Sequence, residues 1–125
     1  MIKKICPILI VDDDEDLCHI LEAVITKKCS VHCEHTLTTA TEYLNQGTPE
    51  IIFLDNNLPD GLGVTAIAPM LLEHPGMKIV FMTAQADDGI REKALAQGAS
   101  RFIAKPFKGA TINQIITSLR PDLQG

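Results

Sequence analysis

The sequence predicts an α/β fold in which five strands form a doubly wound parallel sheet with helices on both faces. Two observations carry this. ICPILIV is short, branched and apolar almost without interruption, as a strand covered on both faces is, and PEIIFLD reads as a second such strand. Each strand-like segment is followed by a segment with helical spacing of its apolar residues or with helix-ending signals, so strand and helix alternate along the chain five times.

The first unit opens with ICPILIV, residues 5–11, a continuous apolar run. LCHILEAVIT, residues 17–26, sets Leu17, Ile20, Leu21, Val24 and Ile25 at helical spacing, with Asp14 or Asp16 available as the cap. SVHCEH, residues 30–35, reads as a shorter strand, and TTATEYLNQ, residues 38–46, as a helix closed by Gly47. PEIIFLD, residues 49–55, is a second strongly buried strand. The helical segment after it, GVTAIAPMLLE, residues 63–73, contains Pro69, whose missing N–H should bend or delay the helix. KIVFMT (78–83) is the fourth strand, DDGIREKALAQ (87–97) a helix stopped by Gly98, RFIA (101–104) the fifth strand, and GATINQIITSLR (109–120) a last helix ended by Pro121.

At 125 residues the chain reads as a single domain, 1–125, large enough to bury a core without staples. A composition 46% hydrophobic and 22% charged, with seven prolines and eight glycines, is that of an ordinary globular chain. The net charge of -5, with no run of Lys or Arg longer than two, argues against direct nucleic-acid binding, which needs a basic face. No apolar stretch reaches the ~20 residues that span a bilayer. The MIKKICPILIV start runs into acidic residues rather than a small-residue cleavage site, so the expected location is cytoplasmic.

Cys6, Cys18, Cys29 and Cys33 are expected to be reduced thiols. The segment CSVHCEH fits no usual zinc spacing, and strand alternation sends Cys29, Val31, Cys33 and His35 to one face with His32 opposite. His19, His32, His35 and His74 have no carboxylate or nucleophile at a catalytic spacing.

In an open parallel sheet, ligands gather beyond the carboxyl ends of the strands. At those ends this chain carries Asp12 and Asp13, Asp55, Thr83, and Lys105, so acids, a hydroxyl and an amine converge on one edge. The run Asp12 to Asp16 places five like charges after an apolar strand, a costly arrangement unless exposure, a basic side chain or a cation relieves it. A cluster of carboxylates without phosphate-cradling glycines suits a hard cation such as Mg2+. Asp55 ends a buried strand before a turn with Pro59 and Gly61, which leaves its carboxylate open to an electrophilic phosphorus, while Thr83 and Lys105 could meet phosphoryl oxygens.

The pieces ILIVDDDEDL, IIFLDNNLPDG, IVFMTA and GASRFIAKPF, in this order and spacing, resemble the receiver domain of the response-regulator family of two-component signalling, over nearly the whole chain. The resemblance implies a flavodoxin-like (βα)5 fold with strand order 2-1-3-4-5. It implies Asp55 as phosphoacceptor, Asp12 and Asp13 holding Mg2+ with Asp55 and the Asn57 backbone carbonyl, Thr83 as switch hydroxyl, Lys105 as phosphate-binding amine, and a cis Lys105–Pro106 peptide. The implied phosphodonor is a phosphohistidine of a sensor histidine kinase or histidine phosphotransferase. The implied outputs are a downstream protein, a fused output domain, or a phosphorylation-dependent dimer through the fourth helix, fifth strand and fifth helix. Asn57 and Gln85, two positions after the acceptor and the switch hydroxyl, are implied to tune the lifetime of the phosphorylated form. The chain departs from the family at the aromatic switch, where Phe102 stands in place of the frequent Tyr, and at Pro69.

Other readings fit less well. An aspartate-nucleophile phosphatase has a D-x-D-x-T pattern where this chain has Asp55, Asn57 and Pro59, and a flavin-binding module would meet five repelling acids after the first strand. A degenerate receiver, binding partners without phosphorylation, would lack one or more site residues, and here none is missing.

Overall fold

The computed structural model of the chain describes residues 5–85 and 87–123. Five parallel strands, β1 (Cys6–Val11), β2 (Cys29–Glu34), β3 (Ile51–Asp55), β4 (Lys78–Thr83) and β5 (Arg101–Ala104), form one sheet in the order β2-β1-β3-β4-β5. Between and after them run α1 (Glu15–Val24), α2 (Leu37–Leu44), α3 (Gly63–Glu73), α4 (Asp88–Gln97) and α5 (Gly109–Leu119). The predicted architecture and strand order are therefore those of the molecule.

The pleat divides the core in two. Leu9, Val11, Ile52, Leu54, Ile79 and Phe81 point to one side, where Leu44 of α2, Ile67 and Met70 of α3 and Ala94 of α4 cover them. Ile8, Ile10, Phe53, Val80 and Met82 point to the other, against Leu21 of α1 and Ile112 and Ile116 of α5. Side chains successive in a strand face opposite layers, which is why the central strands β1, β3 and β4 read as nearly unbroken apolar runs.

Five local details differ from expectation. Helix α1 starts two residues early, at Glu15, because Asp14 is the cap that forms: its carboxylate accepts from the N–H groups of Asp16 and Leu17. The helix also ends before Thr26, since Ile25 already has extended backbone angles. Pro69 does not delay α3, which begins at Gly63 and runs through it. The carbonyl that proline leaves without its usual donor belongs to Thr65, and both residues are on the exposed side of the helix, where solvent can satisfy a freed carbonyl. Strand β2 closes at Glu34, so His35 leaves the alternation and its Nδ1–H donates to the Asp12 carbonyl at 2.8 Å. The segment after β3, expected as a plain turn, is a small antiparallel hairpin pairing Asn57 with Leu62 and Leu58 with Gly61.

At the far pole, the Arg120 guanidinium holds Glu50 and Asp122, and Lys28 Nζ donates to the Leu123 carbonyl. The carboxyl edge is thereby left to the acidic cluster.

Candidate functional site

Parallel pairing brings the carboxyl ends of β1 and β3 side by side, with Val11 opposite Leu54, and the next residue of each strand is an aspartate. Asp12 is fully buried and Asp55 nearly so, while Asp13 is exposed. One carboxylate oxygen from each of the three lies within 4.8 Å of the others. Lys105, delivered by the loop after β5, donates from Nζ to Asp12 Oδ2 at 2.6 Å and stands 3.1 Å from Asp55 Oδ1. Three carboxylates thus face one ammonium.

The electrostatics follow from that imbalance. Burial, and then the charge of Asp12, push the Asp55 carboxyl above its ordinary value, against the pull of Lys105. Burial pushes the Lys105 ammonium down, but Asp12 and Asp55 outweigh it and hold its proton more firmly than usual. The cluster is all hard oxygen donors at the mouth of a buried sheet edge, which matches the chemistry of Mg2+ and not that of a softer metal.

Asp12 is held at every acceptor. Its Oδ1 accepts from the Asp14 N–H, its Oδ2 from Lys105, and its carbonyl from His35 and, more weakly, from the Cys18 thiol at 3.8 Å. Thr83 closes β4 one residue beyond Met82, the strand partner of Asp55. It is fully buried, its hydroxyl accepts from the Gln85 N–H at 3.0 Å, and its carbonyl accepts from the Lys105 N–H at 2.9 Å. The Lys105–Pro106 peptide is cis. Phe102 is half-buried, its ring 6.2 Å from that of Phe81 on the α4 side of the sheet. Asn57 sits exposed at the base of the small hairpin.

Two residues that sequence reasoning passed over support this edge. Asn56 is buried and bonds in three directions: its N–H donates to the Met82 carbonyl, its carbonyl accepts from the Gly63 N–H at 2.8 Å, and its Oδ1 accepts from the Val64 N–H. The acceptor strand is thereby tied to β4 and to the start of α3. Gly63 is the second: a Cβ there would lie 2.0 Å from the Asp55 carbonyl oxygen. A glycine as the first residue of a helix, where better helix formers are available, was the available signal.

The cysteine and histidine segment forms no site. His32 stacks on Tyr43 at 4.1 Å and pairs with Glu34, whereas Cys33 points to the other layer and donates to Glu22. All four thiols are free, and burial raises that of Cys6 to about 12. No helix among the described residues is long and apolar enough to cross a membrane.

Comparison with known proteins agrees with the geometry. The family model of the response regulator receiver domain matches residues 8–117. The DNA-binding transcriptional regulator NtrC of Proteus hauseri is 30% identical over 122 residues; they cover 92% of this chain but 25% of NtrC, so the chain spans about a quarter of that relative. The chemotaxis protein CheY of Listeria monocytogenes is 27% identical over 104 residues, covering 81% of this chain and 87% of CheY. Among solved structures, a two-component response regulator from Clostridium difficile superposes with a TM-score of 0.88 at 24% identity, over 95% of this chain and 98% of that one.

Proposed function

The chain belongs to the response regulator receiver domain family, and from that premise we propose that it accepts a phosphoryl group on Asp55 and uses it to switch a protein-binding surface. The observation that carries the reading is the convergence of Asp12, Asp13, Asp55 and Lys105 at one sheet edge, where burial and the charge of Asp12 disfavour the Asp55 carboxylate. The donor is a phosphohistidine of a sensor histidine kinase or of a histidine phosphotransferase. A carboxylate oxygen of Asp55 forms a bond to phosphorus as the phosphorus–nitrogen bond breaks, and the imidazole leaves with the electron pair.

Asp12, Asp13, Asp55 and the Asn57 carbonyl would hold Mg2+, which when bound supplies the positive charge that lets two anions approach. Lys105, already carrying its proton firmly, turns from Asp12 and Asp55 to a phosphoryl oxygen. Thr83 exchanges its accepted bond from Gln85 for one that it donates to another phosphoryl oxygen. Intact-mass spectrometry after incubation with acetyl phosphate and Mg2+ should find one added phosphoryl group per chain, and excess chelator should abolish it. Labelling indifferent to the chelator would refute the metal's role.

The lifetime of the acyl phosphate is the second expected result. Neither Asn57 nor Gln85 is a base, so each orients or obstructs the attacking water rather than deprotonating it. Asn57→Ala and Gln85→Ala should each change the dephosphorylation rate by roughly tenfold, the low end of a positioning effect, while Asp55 remains the residue labelled. Decay unchanged from wild type in both variants would remove these side chains from the mechanism.

Output follows from the position of Phe102. A Thr83 hydroxyl drawn to the phosphoryl group vacates room that the half-buried ring can enter. With no hydroxyl of its own, Phe102 gains only apolar burial there, ~1–2 kcal/mol, so the result is a shift of populations rather than an all-or-none change. The surface affected is the α4–β5–α5 face, where a downstream protein, a fused output domain or a second copy of the chain would bind. NMR shifts on adding beryllofluoride and Mg2+ should concentrate at residues 83–85 and along 87–119; shifts confined to β2 and α2 would show that the signal leaves elsewhere.

A further inference from the structure

Asp60 lies at the tip of the small hairpin, exposed, and would be passed over as a solvated turn residue. Its carboxylate is nevertheless spent on another element. Oδ1 accepts from the Leu37 N–H at 2.8 Å, and Oδ2 accepts from the Thr38 N–H at 2.8 Å and from the Thr38 hydroxyl at 2.6 Å. The ordinary cap of α2 is Thr36, and of the N–H groups in the helix's first turn its hydroxyl accepts that of Thr39, besides bonding the Thr39 hydroxyl. The first two free N–H groups of the helix are therefore satisfied from outside it, by a side chain 22 or 23 residues further along the chain. These bonds also hold the Asp60 carboxyl down at about 2, so it is ionised wherever the protein is folded at ordinary pH.

The hairpin that Asp60 caps is the segment that carries the Asn57 carbonyl. Its base is fixed at the acceptor side, where the Asn56 carbonyl accepts from Gly63 and Asn57 pairs with Leu62. Its middle is fixed by Leu58, buried in the layer between the sheet and α2 and α3. Its tip has the bonds of Asp60 to α2 and, beside them, Gly61, whose position lies against the Leu37 side chain. Without Asp60 the tip would lose these bonds to α2 and keep that apolar contact and the pairing of Gly61 with Leu58.

We propose that Asp60 is a positioning residue for the Mg2+ site: by bonding the N-terminus of α2 it fixes the hairpin and with it the Asn57 carbonyl. The inference rests on the reading of Asp12, Asp13, Asp55 and the Asn57 carbonyl as the metal ligands. It adds that a contact remote from the charge cluster sets the metal affinity, and that by linkage metal binding tightens the contact in return.

Mg2+ titrated into the metal-free protein in a calorimeter tests this directly. Asp60→Ala should weaken Mg2+ binding on the order of tenfold, as loss of a residue that orients a metal ligand does. Asp60→Asn, which keeps one acceptor oxygen, should fall between it and wild type. In acetyl phosphate labelling, the Mg2+ concentration for half-maximal rate should rise in parallel, with the rate at saturating Mg2+ little changed. Thr36→Ala is the control, because it removes a cap from the same helix without touching the hairpin: it should lower the melting temperature and leave the Mg2+ affinity at the wild-type value. Wild-type affinity in both Asp60 variants, or an equal loss in Thr36→Ala, would overturn the proposal. A wild-type protein that bound no Mg2+ would overturn the metal reading itself, a distinct outcome.

Discussion

Asp55→Asn is expected to take up no phosphoryl group from acetyl phosphate and Mg2+ under conditions that label the wild-type chain once. The amide keeps the shape of the side chain and its place at the end of β3, but its oxygen carries no charge with which to attack phosphorus. Equal labelling of the two proteins would sink the assignment of the acceptor. The same substitution should stabilise the metal-free protein. Burial and the neighbouring Asp12 charge both oppose ionisation of Asp55, and Lys105 keeps its shorter bond, to Asp12, when Asp55 is neutralised. A gain of about 1 kcal/mol is typical when a functional site is relieved of such strain, or a melting temperature higher by roughly 4 °C for a domain of this size. The sign of the pH dependence is determined by the raised carboxyl. The folded state binds the Asp55 proton more tightly than the unfolded state does, so the penalty is fully present above the folded value and disappears below the ordinary 3.8. The advantage of the variant should therefore be widest at neutral pH and close on acidification; an advantage constant with pH would assign it to something other than charge.

The largest loss of stability from adding one methyl group is expected at Gly63→Ala. On helix propensity alone alanine would be favoured there by about 1 kcal/mol. The tertiary term is opposite and larger: the new Cβ would lie 2.0 Å from the Asp55 carbonyl oxygen, 3.0 Å from its carbon and 3.2 Å from Leu54 Cγ. Two of these are backbone atoms of the acceptor strand, so no change of rotamer relieves the clash. Either the end of β3 or the start of α3 must move, which breaks the 2.8 Å bond from the Gly63 N–H to the Asn56 carbonyl. We expect a net destabilisation of about 3 kcal/mol, a drop on the order of 10 °C in melting temperature, and slower labelling of a displaced Asp55. Gly47→Ala and Gly76→Ala, where a Cβ would meet nothing within 4 Å, serve as controls and should melt close to wild type. A Gly63→Ala protein that melted with them would show that the strand end yields more easily than its packing implies.

How much of this was legible beforehand depends on the kind of signal. Ile8 to Val11, Ile51 to Leu54 and Ile79 to Met82 announce buried strands because a strand covered on both faces has no polar side to show. Once these three and two further strands alternate with helices, the parallel sheet follows, and its carboxyl edge is where Asp12, Asp55, Thr83 and Lys105 must stand. Their meeting was legible for that reason, although the residues lie far apart in the chain. Element ends are less legible. The start of α1 leaves two caps open, Asp14 and Asp16, because Glu15 and Asp16 are exposed and add nothing to an apolar period, and the pattern around Pro69 does not say that the proline stands on the exposed side of its helix.

What only the tertiary structure decided is how the edge is held. Asn56, Asp60 and Gly63 act through single contacts with the backbone of other elements: a carbonyl accepting from Gly63, a carboxylate under α2, a Cβ that cannot be present. Periodicity records which side of an element is buried, a property repeated every few residues and therefore visible in the sequence alone. A contact made once, between backbone atoms brought together by folding, repeats nowhere, and only the folded chain determines where it falls.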